Sequence, residues 1–244
     1  MSLVTYDVDG KVAIITLNRP EKHNALSHEL GQELTAAWQR FQDGPEQTAV
    51  LTSAGDKSFS VGADLDNPPD IWPFAPGVGV YVDKPVIAAV PGLCVGGAFI
   101  LVQFADMCVM AEGAHFVYPE AKVGLTGGLI SSVASRLPHK VAMEFMMLGT
   151  PLTAERAYQV GFVNRVVPRE DVLPTALGIA RELADMAPMV TNTLKRHVQQ
   201  TLPMGPSEKS GIARRELEAI RASDDFAEGV NAFAEKRPPV FRGR

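Results

Sequence analysis

Apolar and polar residues alternate at the start of the chain. Residues 4–8 and 12–17 alternate or run apolar on either side of Asp9-Gly10, a dipeptide typical of two-residue turns, and this pattern predicts an opening hairpin. Apolar residues then recur every three or four positions over 29–41, which predicts an amphipathic helix. Ser27 is a suitable N-cap for that helix, because its hydroxyl can accept a hydrogen bond from the first turn.

Strand and helix patterns alternate through the middle of the chain, and only helical patterns come after residue 167. The predicted strands cover 49–52, 86–90, 107–111 and 163–167, and the predicted helices cover 98–104, 131–137, 142–148, a segment opening at Thr153, and then 171–186, 190–202, 207–222 and 224–236. This order predicts an α/β core over 1–190 and a helical region over 191–244, forming one functional unit. Periodicity does not reveal whether the strands are parallel.

Length and charge narrow the class of protein. The chain has 244 residues, of which 46% are hydrophobic, so it can bury a sizeable core within one large domain. Lys and Arg number 23 against 28 Asp and Glu, with no dense basic block before the C-terminus, so we expect no nucleic-acid partner. No uncharged apolar stretch is long enough for a membrane span and the start lacks signal-peptide features, which predicts a cytoplasmic protein.

Metal and redox chemistry have no support in the residue spacing. Cys94 and Cys108 both stand in apolar runs, and their spacing matches neither a redox pair nor a zinc site. The five histidines include no helical pair with a neighbouring glutamate. We therefore expect no metal.

Two glycine-containing turns and a Pro-Glu pair outline one candidate site. The segments 59–65 and 92–98 each contain glycines that could present a backbone N–H without side-chain obstruction, and Pro119-Glu120 comes after them. Two N–H donors aimed at one oxygen form an oxyanion hole, and a glutamate in an apolar setting beside that oxygen could move a proton at the adjacent carbon. This combination predicts enolate chemistry on a thioester.

At these positions the chain resembles the crotonase superfamily, also called the enoyl-CoA hydratase/isomerase family. The resemblance runs nearly end to end, and its strength comes from the order of its landmarks rather than from any one of them. The landmarks are residues 18–26 (NRPEKHNAL), the Ala63 turn, 84–90 (KPVIAAV), the Gly96-Gly97 turn, 119–124 (PEAKVG) and 235–238 (EKRP).

The resemblance implies a fold and a set of catalytic roles. Crotonase proteins wind repeated ββα units into a spiral of two sheets, and their C-terminal helices mediate trimers that often pair into hexamers, so we expect a homotrimer or a dimer of trimers. The backbone N–H groups of Ala63 and Gly97 would form the oxyanion hole. Glu120 would be the general acid/base, with a pKa raised by partial burial.

Ile100 departs from the pattern of the hydratases, which carry a glutamate three residues after the oxyanion glycine. Isoleucine can neither hydrogen-bond to a water nor accept a proton. Single-glutamate relatives include Δ3,Δ2-enoyl-CoA isomerases, so the resemblance favours double-bond isomerisation through Glu120. A dry pocket beside Ile100 would disfavour competing hydration.

Two alternatives remain open. The first is an enoyl-CoA hydratase or dehydratase that uses Glu120 alone or with a polar group from another loop, such as Asp70 or Thr126. The second is a non-catalytic acyl-CoA binding protein, which Ile100 and Asp66 favour and the retained Glu120 opposes.

The resemblance also places a coenzyme A site. Lys22, Ala25 and Leu26 of the early loop and Asp64 and Leu65 after the first turn would contact the pantetheine and adenine, largely through their backbones. Gly96 and Ile100 belong to the same substrate-binding set, and Lys236 could reach a phosphate from a neighbouring subunit. Coenzyme A would be part of the substrate, so no separate cofactor is expected.

The segment 66–83 departs from the family pattern in length and composition. It is shorter than in typical hydratases, and its four prolines break up the helices that usually line the acyl pocket. The length of the acyl group therefore does not follow from the resemblance.

Overall fold

The structure is a computed structural model that describes residues 2–244. Its strands are β1 (Val4–Asp9), β2 (Val12–Leu17), β3 (Thr48–Ser53), β4 (Ser58–Ser60), β5 (Val86–Val90), β6 (Leu93–Val95), β7 (Met107–Ala111), β8 (His115–Val117), β9 (Leu152–Thr153) and β10 (Arg165–Val167). Its α-helices are α1 (His28–Asp43), α2 (Gly97–Gln103), α3 (Glu120–Val123), α4 (His139–Leu148), α5 (Ala154–Gln159), α6 (Val172–Ala184), α7 (Pro188–Thr201), α8 (Pro206–Arg221) and α9 (Asp224–Glu235). Short 3-10 helices cover Pro20–Lys22, Trp72–Phe74, Gly128–Ser135 and Arg169–Asp171.

The strands form two sheets. The six-stranded sheet has the order β1-β2-β3-β5-β7-β10 and is parallel except for the β1-β2 hairpin. The four-stranded sheet has the order β4-β6-β8-β9, in which the first three strands are parallel. The chain visits the sheets in turn, because β3, β5 and β7 of the large sheet are followed directly by β4, β6 and β8 of the small one. Helices α2 and α3 complete two ββα units, so the predicted fold is confirmed.

Buried apolar side chains hold the large sheet in the core. All five residues of β5 are buried, as expected for a parallel strand covered on both faces. The Cα partner of Leu51 in β3 is Ile15 on one side and Ala88 on the other, and all three side chains are fully buried. Helix α6 packs on this sheet, and the hydroxyl of Thr48 donates to the carbonyl of Ala180 at 3.0 Å.

Most sequence-based elements match the structure, with two kinds of difference. The hairpin, the helix capped by Ser27 and the C-terminal helices are present, and the Ser27 hydroxyl accepts from the N–H of Leu30. The helix predicted at 131–137 is instead a 3-10 helix at Gly128–Ser135. The sequence patterns missed β4, β6, β8 and β9, because strands of two or three residues are too short to show a period.

The predicted C-terminal region packs against the core. The ammonium of Lys195 in α7 donates to Asp106 and to the carbonyl of Lys84, both at 2.8 Å. Helix α8 packs against Gly128–Ser135 and Trp72–Phe74. The boundary between 1–190 and 191–244, and assembly through these helices, remain predictions. Within residues 2–244 no helix is long and apolar enough to cross a membrane.

Candidate active site

Three neighbouring strands of the small sheet end at the candidate site. The turn with Gly62 and Ala63 comes after β4, the Gly96-Gly97 turn after β6, and Pro119-Glu120 after β8. Because β4, β6 and β8 are parallel and adjacent, their carboxyl ends lie at the same edge of the sheet. The sheet thus brings together three segments that lie far apart in the sequence.

The first turn exposes the backbone N–H of Ala63. Gly62 has φ +90°, and a Cβ there would lie 2.8 Å from the carbonyl oxygen of Val95, so only glycine fits. The N–H of Leu26 donates to the carbonyl of Gly62, and the N–H of Asp64 donates to the carbonyl of Leu26, both at 2.8 Å. These bonds use the groups that flank Ala63, so its own N–H points the other way and has no hydrogen-bond partner within residues 2–244.

The second turn presents the N–H of Gly97 beside it. Gly97 is the first residue of α2, so its N–H has no acceptor inside the helix, and none elsewhere in the described chain. A Cβ on Gly62 would lie 3.5 Å from the nitrogen of Gly97, which places the two turns in direct contact. The structure therefore holds two unused backbone donors next to each other, as an oxyanion hole requires.

Glu120 lies against the second turn. Its carboxyl group packs on Gly96, where a Cβ would lie 2.5 Å from Oε1 of Glu120. Gly96 has φ +55°, a conformation that disfavours any side chain, and an added Cβ would also displace the carboxyl group of Glu120. Oε2 of Glu120 is buried and has no hydrogen-bond partner in the described chain. Burial raises the pKa of Glu120 to about 7, because removal from water disfavours the carboxylate.

A cavity of about 840 Å³ opens from these groups. Its lining includes the three predicted catalytic residues, Ala63, Gly97 and Glu120. It also includes Ile100, the residue that departs from the hydratase pattern. Ile100 is buried. Ile71 covers the Gly96-Gly97 turn from the proline-rich segment 66–83, because a Cβ on Gly97 would lie 3.0 Å from Cδ1 of Ile71. The surroundings of the two N–H groups are therefore largely apolar.

Polar side chains that the sequence analysis did not assign line the same cavity. Besides Asp70 and Thr126, they are His28, Gln32 and Thr35 of α1, Tyr118, and Ser207, Ser210 and Arg214 of α8. The hydroxyls of Tyr118 and Thr126 are 3.0 Å apart. In each of α1 and α8 these residues are three or four positions apart, a spacing that indicates one polar face on each helix. The sequence did not show that the two polar faces line the same cavity.

Of the predicted substrate-binding set, Ile100 lines the cavity, whereas the coenzyme A positions of the early loop and of the segment after the first turn lie outside its lining. Ala25 and Leu26 are buried, Leu65 is 82% exposed, and Lys22 is exposed at the end of a 3-10 helix. Asp64 pairs with Arg19 at 2.6 Å, and the hydrogen bond from that guanidinium lowers the pKa of Asp64.

Lys236 is the remaining predicted coenzyme A contact. It comes directly after α9 with φ +54° and lies outside the cavity lining. The roles of all these positions remain predictions. No group of three or more His, Cys, Asp or Glu residues within 2–244 is placed to hold a metal ion.

The fold and the site together place two unused backbone donors and one partly buried carboxyl group at one edge of the small sheet. The family model for enoyl-CoA hydratase/isomerase matches residues 7–69 and 80–244. The chain therefore belongs to the enoyl-CoA hydratase/isomerase family, the crotonase superfamily, and is an enzyme of that family. Residues 70–79 of the proline-rich segment, which include Ile71 and Trp72, fall outside the match.

Individual relatives resemble the chain over nearly its full length. A carnitinyl-CoA dehydratase from Salmonella typhi is 38% identical, with 97% of each chain covered. The crystal structure of a carnitinyl-CoA hydratase from Mycobacterium avium superposes with a TM-score of 0.78 at 33% identity, covering 100% of both chains. A probable enoyl-CoA hydratase/isomerase from Mycobacterium abscessus gives a TM-score of 0.77 at 33% identity, also over 100% of both chains.

Proposed function

We propose that this enzyme moves a carbon–carbon double bond within an acyl-CoA thioester, with Glu120 as its single acid and base. The observation that carries this proposal is that the cavity has a carboxyl group at Glu120 but an apolar side chain at position 100. Glu120 lies against Gly96 and lines the same cavity as the unused backbone donors, with one unpartnered carboxyl oxygen, while a buried isoleucine occupies position 100.

The N–H groups of Ala63 and Gly97 hold the thioester oxygen in this proposal. Charge accumulates on that oxygen when a proton leaves C2, so donors already fixed in place stabilise the enolate more than the ground state. Removal of one such donor typically slows an enzyme by roughly 10²–10³-fold. The donors belong to backbone held by β4 and β6, and they need no rearrangement when the charge appears.

Glu120 moves the proton. In the carboxylate form it takes the proton from C2 of a 3-enoyl thioester, and the electron pair of that C–H bond spreads over the thioester oxygen and C4. The resulting acid then returns the same proton to C4, which leaves a 2-enoyl thioester and the original carboxylate. A pKa of about 7 suits both halves of this cycle, because the group both accepts and donates near neutral pH.

Hydration or dehydration of a 2-enoyl thioester is the second candidate. Two observations favour it. Several relatives are named as carnitinyl-CoA dehydratases or hydratases, and the hydroxyls of Tyr118 and Thr126 offer polar partners to a water in the cavity. Asp70 also lines the cavity from the proline-rich segment. Beyond Ile100 and Asp66 in the sequence, no observation favours the non-catalytic alternative.

We also propose that the chain assembles into a trimer or a dimer of trimers. The support comes from the C-terminal helices, whose outer faces carry apolar side chains that this chain leaves uncovered. Met189 and Leu194 of α7 are 84% and 59% exposed, and Phe233 of α9 is 88% exposed. Contact between copies would remove these side chains from water.

Turnover of matched 3-enoyl-CoA and 2-enoyl-CoA thioesters tests the reaction. We expect migration of the double bond without addition of water, measured by absorbance for conjugation and by mass for the gain of a water molecule. Glu120→Gln should lower kcat for migration by several orders of magnitude, because the amide cannot accept the proton, and should leave thioester binding within about twofold. Glu144→Gln, on the exposed face of α4, is the matched control.

Three outcomes distinguish the candidates. Migration abolished only in Glu120→Gln supports the proton shuttle. Migration that persists in Glu120→Gln rules that role out. Addition of water by the unmodified enzyme, without migration, would instead support the hydratase candidate.

A further inference from the structure

Helix α8 turns one face toward the cavity that contains Glu120. Ser207, Ser210, Gly211 and Arg214 all line the cavity, and their spacing of three, four and seven residues places them on one side of the helix. Two hydroxyls and a guanidinium are all hydrogen-bond donors. One side of the cavity is therefore lined by donors from a single helix.

Contacts on both sides of this face fix the orientation of α8. A Cβ on Gly211 would lie 2.5 Å from Cγ1 of Val78, so the helix approaches the proline-rich segment closely. The guanidinium of Arg215 donates to the carbonyl of Val78 at 2.9 Å. Glu208, one turn earlier, is buried and accepts a hydrogen bond from Ser132. These contacts restrict rotation of the helix and keep its donor face on the cavity.

Arg214 differs from the other arginines around it. Its guanidinium lies over the ring of Trp72, 5.6 Å from the centroid, and forms no ion pair or hydrogen bond with any of residues 2–244. By contrast, Arg215 is bonded to a backbone carbonyl and Arg136 lies 3.9 Å from Glu208. Arg214 is thus a positive charge at the cavity that the described chain leaves without an anionic partner.

The acidic groups of the cavity do not cancel this charge. Asp70 is exposed and lies more than 4.0 Å from Arg214, since the two form no ion pair. Glu120 lies at the oxyanion hole and, with a pKa of about 7, is only partly ionised at neutral pH.

We infer that Arg214 makes this enzyme prefer acyl-CoA thioesters whose acyl chain ends in a carboxylate. The inference rests on the proposed function in one respect, namely that the thioester carbonyl binds at Ala63 and Gly97. The acyl chain then extends into the cavity, where the guanidinium can form a bidentate pair with a carboxylate. The hydroxyls of Ser207 and Ser210 supply further donors on the same face.

The same geometry disfavours a cationic acyl group. A quaternary ammonium, such as the one that a carnitinyl group carries, is bound in proteins mainly over aromatic faces. In this structure the guanidinium of Arg214 already lies over Trp72. To reach the ring of Trp72, a cationic acyl group would have to displace the guanidinium of Arg214 and would then lie close to that positive charge. We therefore expect this chain to differ in substrate from its relatives that are named for carnitinyl-CoA.

Binding of saturated thioesters tests the inference without requiring turnover. Glutaryl-CoA and valeryl-CoA have acyl chains of the same length, and only glutaryl-CoA ends in a carboxylate. The same comparison is made for matched diacid and neutral thioesters of four to eight carbons. Calorimetry should give glutaryl-CoA, or the best-fitting longer diacid, roughly two- to fivefold tighter binding than its neutral match, the factor expected for a charge pair with an exposed arginine. The preference should shrink with added salt.

Substitutions assign the preference to one side chain. Arg214→Gln should remove the preference for the diacid and leave binding of the neutral thioester unchanged, whereas Arg214→Lys should keep part of it. Arg221→Gln is the matched control, because Arg221 is an exposed arginine on the same helix that does not line the cavity. Melting temperatures check that each variant is folded.

The outcomes separate this inference from the proposed function. Equal binding of diacid and neutral thioesters at every length would overturn the inference alone. Equal weakening of both by Arg214→Gln would also overturn it, and would place the guanidinium on a phosphate of coenzyme A. Absence of binding for every thioester would overturn the proposed function along with it.

Discussion

The six-stranded and four-stranded sheets differ in the length of their strands and in the turns at the strand ends. Strands β2 and β3 have six residues each, and their side chains form much of the buried core. Strands β4, β6 and β8 have three residues each, and a residue of the candidate site lies within three positions of the end of each. The long strands supply buried apolar area, whereas the short strands place their three carboxyl ends at one edge of the small sheet.

The short strands hold their positions because short connections tie them to the long ones. Two residues join β5 to β6, three join β7 to β8, and four join β3 to β4. A three-residue strand has few ladder hydrogen bonds of its own, so its position depends on the buried strand that precedes it. This difference implies that damage to the large sheet should lower stability, and damage to the small sheet should lower activity.

Among the changes that compare the two sheets, Gly96→Ala should give the largest effect. The new Cβ would meet the carboxyl group of Glu120 and would force a residue with φ +55° into a strained conformation. We expect kcat for the thioester reaction to fall by roughly 10²–10³-fold, the loss typical of a displaced oxyanion donor. Steady-state kinetics on protein whose folding has been checked by circular dichroism would measure it.

The control places the same change in the large sheet. Gly10 in the β1-β2 turn has φ +60°, and a Cβ there would meet nothing within 4 Å. Gly10→Ala should cost about 1 kcal/mol of stability from backbone strain and leave kcat unchanged. Similar kinetics in the two variants would contradict the division between the sheets.

Leu51→Ala should give the next largest effect. Leu51 is fully buried between β2 and β5, so its truncation should lower the free energy of unfolding by about 3 kcal/mol. Denaturant titration would report this as a lower midpoint with an unchanged slope. Val8→Ala, at a side chain 48% exposed in β1, should change stability by less than about 0.5 kcal/mol. A large loss of kcat in folded Leu51→Ala would show that the sheets are not separable.

The pH dependence of turnover should give the smallest effect. The base form of Glu120 is the carboxylate, so kcat/KM for a 3-enoyl thioester should fall about tenfold per pH unit below 7 and level off above it. Leu51→Ala should keep the same midpoint, because the pKa is set at the small sheet. A midpoint near 4.5 would mean that Glu120 is not desolvated in the free enzyme.

The free energy of unfolding should fall as pH rises, whereas kcat/KM should rise, and both effects come from the raised pKa of Glu120. The carboxyl group has a higher pKa in the folded chain, about 7, than its ordinary value of 4.5. Between these values the unfolded chain has already released its proton, so the folded state loses stability as pH rises. Glu120→Gln should remove this part of the decline.

Pattern length explains why the sequence predicted the large sheet better than the small one. Strands of five or six apolar residues and helices with a regular apolar face leave a readable period, as in β5 and α1. Strands β4, β6 and β8 have too few residues for one. The site residues after them were found from glycine chemistry and family resemblance, and the cavity brings four of them together, namely Ala63, Gly97, Ile100 and Glu120.

The family, the order of the elements and the residue types of the site could all be predicted from the chain, because each depends on local pattern or on the order of motifs. The meeting of particular groups could not be predicted in this way. Burial around Glu120 sets its pKa, the parallel pairing of β4 with β6 aligns two backbone donors, and the packing of α8 brings Arg214 to the cavity. These features depend on contacts between residues far apart in the chain, and no local pattern encodes such distances.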